Sequence, residues 1–267
     1  MTYSEDNNSC NDNGHLPATV TTLNRWHDRW EKNALGWHKA CVHPALQEYL
    51  PRVLNSVLGK NKKHRVLVPL CGKTVDMAYL AKHEDVDQVV GIDGIQKAIN
   101  EFSAENPELG IQTHSGDVQT LGKNECSTYK GSKITLIRAD FFDVDSNIAD
   151  GRFDLIWDRG SLVAIAPEIR SDYVSAIARL IKPGGYILLS TVDRREGTPE
   201  GVEAGPPFSL NEDAVKALYG NEPWIEYVEK IGEKDEIGDD DAERDHWNSR
   251  GVSKLFEVYF LIKAKIV

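Results

Sequence analysis

The residues that decide the fold are Arg65–Lys73, RVLVPLCGK, and Val89–Asp93, VVGID. Val66–Val68 form a short apolar run stopped by Pro69 and Gly72, after which Met77, Leu80 and Ala81 recur at helical spacing. A second apolar run, Val89, Val90 and Ile92, ends on the acid Asp93. Strand, glycine turn, helix, strand and terminal carboxylate compose one βαβ nucleotide-binding unit. In such a unit the glycine lets the backbone approach a ligand and the acid accepts the two hydroxyls of a ribose. A dinucleotide loop would read GxGxxG, because a pyrophosphate needs several backbone N–H groups and close packing of the next helix. Here Gly72 stands alone and Lys73 follows it. The unit therefore suits a nucleoside without phosphates, of which S-adenosylmethionine is the common one.

The bulk properties agree. A chain of 267 residues with 40% hydrophobic content can bury a sizeable core. Its formal charge of −11 argues against a nucleic-acid partner, which would need a basic face. No apolar run approaches the ~20 residues of a membrane span, so no membrane partner is expected. The start, MTYSEDNNSCNDNGHL, has neither the basic nor the apolar region of a secretory signal. Cys10, Cys41, Cys71 and Cys126 lack CxxC or CxxH spacing and read as reduced thiols of a cytoplasmic protein, with no metal site.

Upstream of the βαβ unit, residues 1–18 are polar and turn-rich and read as a disordered tail; 19–267 read as a single domain whose first part, 19–58, is a helical lid segment. Thr22 or Asn24 can cap a helix carrying Trp26 and Trp30 at i, i+4. Leu35-Gly36-Trp37-His38 breaks it, and Pro44–Val57 reads as a second helix. The three tryptophans have two readings, a packed docking face or an aromatic lid over a cationic ligand.

Downstream, Gln96–Ala104 is helical in pattern, and Gly110–Gly131 is a polar excursion, hairpin or loop. Lys133–Ile137 is a strand leading into Asp140-Phe141. Asp140 can accept from an exocyclic amine or simply cap the next turn, and Phe141 offers a backbone N–H or a ring face to adenine. Phe153–Trp157 is a strand followed by Asp158-Arg159-Gly160-Ser161, and Leu162–Leu180 is helical with a break near Ala166-Pro167. Lys182–Gly185 is a tight turn before the strand Tyr186–Thr191. Gly197–Leu210 is a Gly/Pro-rich loop of active-site length, and Asn211–Tyr219 is helical. Trp224–Ile231 and Leu255–Lys263 are strands separated by an acidic, solvated loop. Alternating strands and helices closed by two consecutive strands predict an α/β fold: a doubly wound, mostly parallel seven-stranded sheet with an antiparallel carboxy-terminal hairpin and the helical lid.

PLCGK (Pro69–Lys73), VVGID (Val89–Asp93), FDLIWDRGSLVAI (Phe153–Ile165) and GPPF (Gly205–Phe208), taken together, resemble the thiopurine S-methyltransferase family of class I, S-adenosylmethionine-dependent enzymes. The resemblance runs from about Leu23 to Ile262. It implies that Trp26 and Trp30 belong to a lid over the cofactor, with Leu70 and Gly72 lining its methionine end. It makes Asp93 the ribose acid, where many relatives carry Glu, and sets Asp140 and Phe141 beside adenine. Arg159 corresponds to the active-site arginine of WDRG and touches cofactor or acceptor. Trp37, His38, Pro207 and Phe208 would border the acceptor, and Arg244 stands near a second acceptor-side arginine, with Arg250 as its rival.

The implied activity is transfer of a methyl group to a small aromatic or heterocyclic thiol by in-line displacement, in a protein expected to be a monomer. Alignment alone contributes roughly 7–11 kcal/mol in such reactions. Because thiols ionise near neutrality, no dedicated base is required. Asp158 is read as orienting Arg159 or capping a turn rather than as a base. Cys71 is read as a loop-packing residue. Two alternatives keep the cofactor: an enzyme for sulfide, selenium or tellurium anions and other aliphatic nucleophiles, or a non-catalytic binding module. An NAD-linked oxidoreductase is disfavoured by the missing phosphate loop.

Overall fold

The computed structural model describes residues 18–59, 62–113, 117–121, 124–238 and 241–266. The polar tail expected over 1–18 lies outside these residues except for its last position. The strands are β1 (His64–Pro69), β2 (Val86–Asp93), β3 (Asp117–Leu121), β4 (Asn124–Lys130), β5 (Ile134–Arg138), β6 (Phe153–Arg159), β7 (Ile181–Gly197), β8 (Ile225–Asp235) and β9 (Val252–Ala264). The helices are α1 (Ala18–Glu31), α2 (Pro44–Arg52), α3 (Asp76–Lys82), α4 (Gln96–Glu105), α5 (Arg170–Leu180), α6 (Pro199–Glu203), α7 (Glu212–Gly220) and α8 (Asp241–Asn248).

The strands form one sheet in the order β3-β4-β5-β2-β1-β6-β7-β9-β8. The five strands from β5 to β7 pair in parallel, whereas β9 runs antiparallel between β7 and β8. This is the expected sheet with its antiparallel terminal pair. Two further strands come from the polar excursion before β5: β3 and β4 form a hairpin that adds antiparallel to the edge of β5.

The period of two along β1 explains the layering. Val66 and Val68 face a core completed by Leu46 and Leu50 of α2, Met77 and Leu80 of α3, and Ile99 and Phe102 of α4. Leu67 faces the opposite core, with Tyr173 and Ile177 of α5 and Val215 and Tyr219 of α7. Both faces of the parallel strands are buried, which is why these strands read as continuous apolar runs.

Several local expectations change. α1 begins by Ala18, upstream of Thr22 and Asn24, so neither caps it. The helix expected over Pro44–Val57 is α-helical only to Arg52; Val53–Val57 is a π-turn that starts two residues after Pro51, which brings no N–H to the ladder. At Lys182–Gly185 the chain turns within β7, since Ile181 pairs with Phe153 but Tyr186 pairs with Leu155. The acidic stretch is not simply a loop. β8 continues to Asp235, and α8 follows, anchored by Trp247 against Val192, Ile237, Val252 and Leu255. Charge hid this helix, because one tryptophan carries most of its apolar contact.

Candidate functional site

Strand order places the loops after β5, β2, β1 and β6 side by side at the carboxyl end of the sheet. The chain moves outward from β1 through β2 to β5, then returns to lay β6 on the other side of β1. Ligands bind at such a reversal. Leu70, Gly72, Asp93, Asp140, Phe141 and Arg159 are all brought to this one end by their positions at these strand termini.

Asp93 is buried, and both of its oxygens are engaged. Oδ2 accepts from the Gly72 amide at 2.8 Å and Oδ1 from the Ile95 amide at 2.8 Å. A carboxylate offers about four acceptor directions, so two remain for ribose hydroxyls. Burial lifts its carboxyl to about 6, while the two amides act in the opposite sense. Leu70 has φ 41° and Gly72 φ 53°. For leucine the left-handed region is costly, a strain of the kind concentrated at functional loops. Cys71, buried between them, has its thiol pushed well up by burial and by the Asp93 charge, and it stays protonated and unreactive.

Asp140 takes its capping role: Oδ1 accepts from the Phe142 amide at 3.1 Å. The Phe141 ring is stacked on Tyr173 in the core at 5.2 Å, which leaves only the backbone of Phe141 for a ligand. Asp158 is fully buried; Oδ1 accepts from the Leu162 amide at 3.2 Å and Oδ2 from the Tyr173 hydroxyl at 2.7 Å. It caps the turn after β6. Burial raises it to about 6 against those hydrogen bonds. Ser161 donates to the Pro69 carbonyl at 2.6 Å, tying this turn to the glycine loop.

The lid segment closes over these loops. Trp30 is buried, and a Cβ on Gly72 would lie 3.4 Å from its ring. Trp37 meets Trp26 edge-on at 4.8 Å and Trp30 at 6.4 Å. The Arg29 guanidinium sits 5.7 Å from the Trp26 ring and 5.0 Å from that of Trp37. Trp30 is thus a docking residue, whereas Trp26 and Trp37 are half-buried with a cation already against them. Arg159 donates to the Trp37 carbonyl at 3.1 Å, so the lid and the WDRG turn meet at the predicted arginine. His38 is half-buried nearby; burial and the Lys73 charge press its imidazole below the usual range, partly opposed by Glu105. His38 and Lys73, the residue after Gly72, also line an open cleft of about 610 Å³ with Arg29 and Asn33–Gly36. Arg25 donates to the Gly205 carbonyl at 3.0 Å, joining α1 to the GPPF loop. That loop is itself docked, with the Phe208 amide donating to Val163 at 2.7 Å. Pro207 and Phe208 are half-buried, and the Phe208 ring folds onto Gly205, where any Cβ would collide with it.

A buried polar network behind Arg159 escaped sequence reasoning. His43 Nδ1 accepts from the Ala45 amide, so Nε2 carries the proton and donates to Glu257 at 2.8 Å. Glu257 also accepts from Ser190 at 2.6 Å and Tyr259 at 3.1 Å. The His43 amide donates to Asp76 at 2.8 Å, and Asp76 accepts from Trp157 at 2.9 Å. Burial raises Glu257, but the hydrogen bonds from His43 and Ser190 and the Arg159 charge act against it and hold the carboxyl below its usual range. The one local signal was His43-Pro44, a side-chain cap ahead of a proline at the first helical turn.

The thiopurine S-methyltransferase family profile matches residues 21–265. The chain belongs to that family. It is 33% identical over 238 residues to a thiopurine S-methyltransferase of Pseudomonas paraeruginosa, covering 89% of this chain and 97% of the relative. It is 31% identical over 246 residues to a probable thiopurine S-methyltransferase of Danio rerio, covering 92% and 96%. Among solved structures, a 1,6-didemethyltoxoflavin-N1-methyltransferase of Burkholderia thailandensis with bound S-adenosylhomocysteine superposes with a TM-score of 0.54 at 13% identity, covering 92% and 88%. The N-methyltransferase NodS of Bradyrhizobium japonicum, also with S-adenosylhomocysteine, gives 0.51 at 13% identity over 93% and 99%. These two share the fold.

The cofactor of this thiopurine S-methyltransferase family member is S-adenosylmethionine, and the donor set fits it. Asp93 keeps two acceptor directions that would take the ribose hydroxyls, beside the left-handed turn at Gly72, and Asp140 follows β5, the next strand of the sheet, where it would face the base. Of the two candidate second arginines, Arg244 is exposed and paired with Asp241 and the Gly238 carbonyl of its own segment. Arg250 lies against Trp247 and lines a cleft with Gly205 and Pro206 of the GPPF loop. Among the described residues, no helix is long and apolar enough to cross a membrane.

Proposed function

We propose that this chain methylates the sulfur of a small aromatic or heterocyclic thiol. The observation that carries the reading is the division of labour at the end of β6. Asp158 there is committed to Leu162 and Tyr173, and His43 at the start of α2 to Glu257. Arg159 makes one hydrogen bond among the described residues, to the Trp37 carbonyl. A permanent cation beside the acceptor suits a nucleophile that reaches its anion unaided near neutral pH, and His38 is then needed only to border the acceptor.

When bound, S-adenosylmethionine supplies an electrophilic methyl group on a sulfonium. The chain's own residues do the rest. Asp93 and the Gly72 loop fix the nucleoside end, and Trp30 seals the loop from water. Arg159 holds the negative charge of the acceptor sulfur and fixes its approach. Trp37, His38, Pro207 and Phe208 frame the acceptor. The aromatic lid favours a flat acceptor over sulfide or a selenium anion, because ring faces reward buried planar area.

The test is methyl transfer from labelled S-adenosylmethionine to thiophenol, 6-mercaptopurine and sulfide, for wild type and Arg159→Met. Transfer to the two aryl thiols that falls by at least about a hundredfold in kcat/KM in the variant supports the reading, in line with loss of a pre-organised charge contact. Preference for sulfide moves the acceptor class to inorganic nucleophiles. Cofactor binding without product from any acceptor refutes the enzymatic reading.

A further inference from the structure

β7 does not stop at the level of the site. Arg159 pairs with Ser190, and β7 continues past it to Gly197, flanked by β9. Arg194, four residues beyond Ser190, is only 7% exposed. One of its guanidinium nitrogens, Nη1, donates to the Ala204 carbonyl, while Nε is buried without a partner. Arg250 stands opposite, close enough for its charge to act with burial in disfavouring the charged form of Arg194. Its guanidinium lies 5.6 Å from the Trp247 ring. Among the described residues neither arginine has a carboxylate partner, in a chain whose formal charge is −11. Both line a cleft of about 190 Å³ with Gly201, Gly205, Pro206 and Trp247. At about 30 Å³ per water, that volume takes an anionic head group with its solvent.

Two like charges forced together, one of them buried, are a destabilising arrangement that an anion relieves. Each guanidinium presents a planar donor fork that matches a carboxylate or phosphate. The cleft is also continuous with the lid, because the Gly205 carbonyl that helps to form it receives Arg25 of α1. At roughly 3.3 Å per residue, Arg194 lies about 13 Å along β7 from the strand level of Arg159.

We infer that Arg194 and Arg250 form an oxyanion-binding subsite at the outer edge of the acceptor side, taking a carboxylate or phosphate group. The subsite rests on its own geometry. Its assignment to a group carried by the acceptor rests on the thiol reading above, and a free anion is the other source.

The experiment titrates inorganic phosphate into the full chain at low ionic strength, following tryptophan fluorescence and thermal midpoint, for wild type, Arg250→Gln and Arg194→Lys. Arg250→Gln replaces an exposed side chain, which keeps the test independent of the buried one. Saturable binding in wild type, weakened about tenfold in each variant as one charge-assisted hydrogen bond is lost, is expected. No saturable response, or curves indifferent to both substitutions, overturns the subsite. A second arm compares KM for 4-mercaptobenzoate and thiophenol. A preference for the carboxylate that disappears in Arg250→Gln assigns the subsite to the acceptor, whereas phosphate binding with no such preference assigns it to a free anion. Phosphate binding in a chain that methylates neither thiol refutes the thiol reading and leaves the subsite standing.

Discussion

The Gly72 amide and the Asp93 carboxylate, 21 residues apart, are joined by a 2.8 Å hydrogen bond that spans the two loops of the βαβ unit. The acid expected to meet the ribose therefore also holds the glycine turn in shape, and its loss acts twice. Asp93→Ala is expected to weaken S-adenosylhomocysteine binding by at least about a hundredfold, since one buried acceptor serves both ligand and loop. Isothermal titration checks this.

A pH dependence follows from the same carboxyl. Its value of about 6 stands above the ordinary 3.8, so its protonated form favours the apo fold. That contribution is present below about 4 and lost as pH rises through about 6. Ribose hydroxyls bound there would donate to the ionised form and reverse the preference. S-adenosylhomocysteine affinity in the wild type is thus expected to fall as pH drops through about 6, and Asp93→Asn to show no such step.

Asp158 separates a structural role from a catalytic one. Asp158→Ala strands the Leu162 amide and the Tyr173 hydroxyl, both buried, at a cost of about 1–3 kcal/mol for each unpaired group. Chemical denaturation is expected to register that loss. The pH profile of kcat is expected to keep its wild-type shape, which removal of a general base would change.

The pair formed by His43 and Glu257 is expected to stabilise the fold. His43→Ala leaves the half-buried Glu257 carboxylate without one of its hydrogen-bond donors, at a cost of about 1.5–3 kcal/mol for a bond to a charged group. Glu257 is held at about 2, below its ordinary 4.5, so its contribution is full above 4.5 and lost as pH falls toward 2. The gap between wild type and variant in urea denaturation is expected to narrow over that acidic window and to stay constant above it.

Gly72→Ala places a side chain at φ 53° and sets its Cβ against Trp30. The backbone term alone costs about 1–2 kcal/mol. A shifted tryptophan emission together with the lower midpoint would locate the change at the lid contact.

Much of this was legible because it is local. Val66–Asp93 carries its strand, turn and helix signals within 28 residues, and Asp93 lies at the end of an apolar run where a ligand acid belongs. The hairpin β3–β4 was visible only as a polar excursion, since an edge hairpin with exposed side chains such as Val118 lacks a strong apolar alternation. The network behind Arg159 was not legible at all. His43 and Glu257 are 214 residues apart, and although Glu257 stands inside the apolar run Leu255–Lys263, nothing local marks His43 as its partner. The two roles of Asp140 stayed open in sequence, and the structure assigns the cap to the side chain while sending the Phe141 ring into the core.

The strand order also bears on how the chain is made. β9 follows β8 in sequence yet lies between β7 and β8 in the sheet, so β8 has no neighbour until β9 arrives. A nascent chain that has released everything through α8 can close the parallel half around Asp93 but leaves the outer edge of β7 unpaired. Assembly of the β7–β9–β8 edge waits for β9, and an interrupted translation product would expose β7, the longest described strand of the sheet, as a template for aggregation.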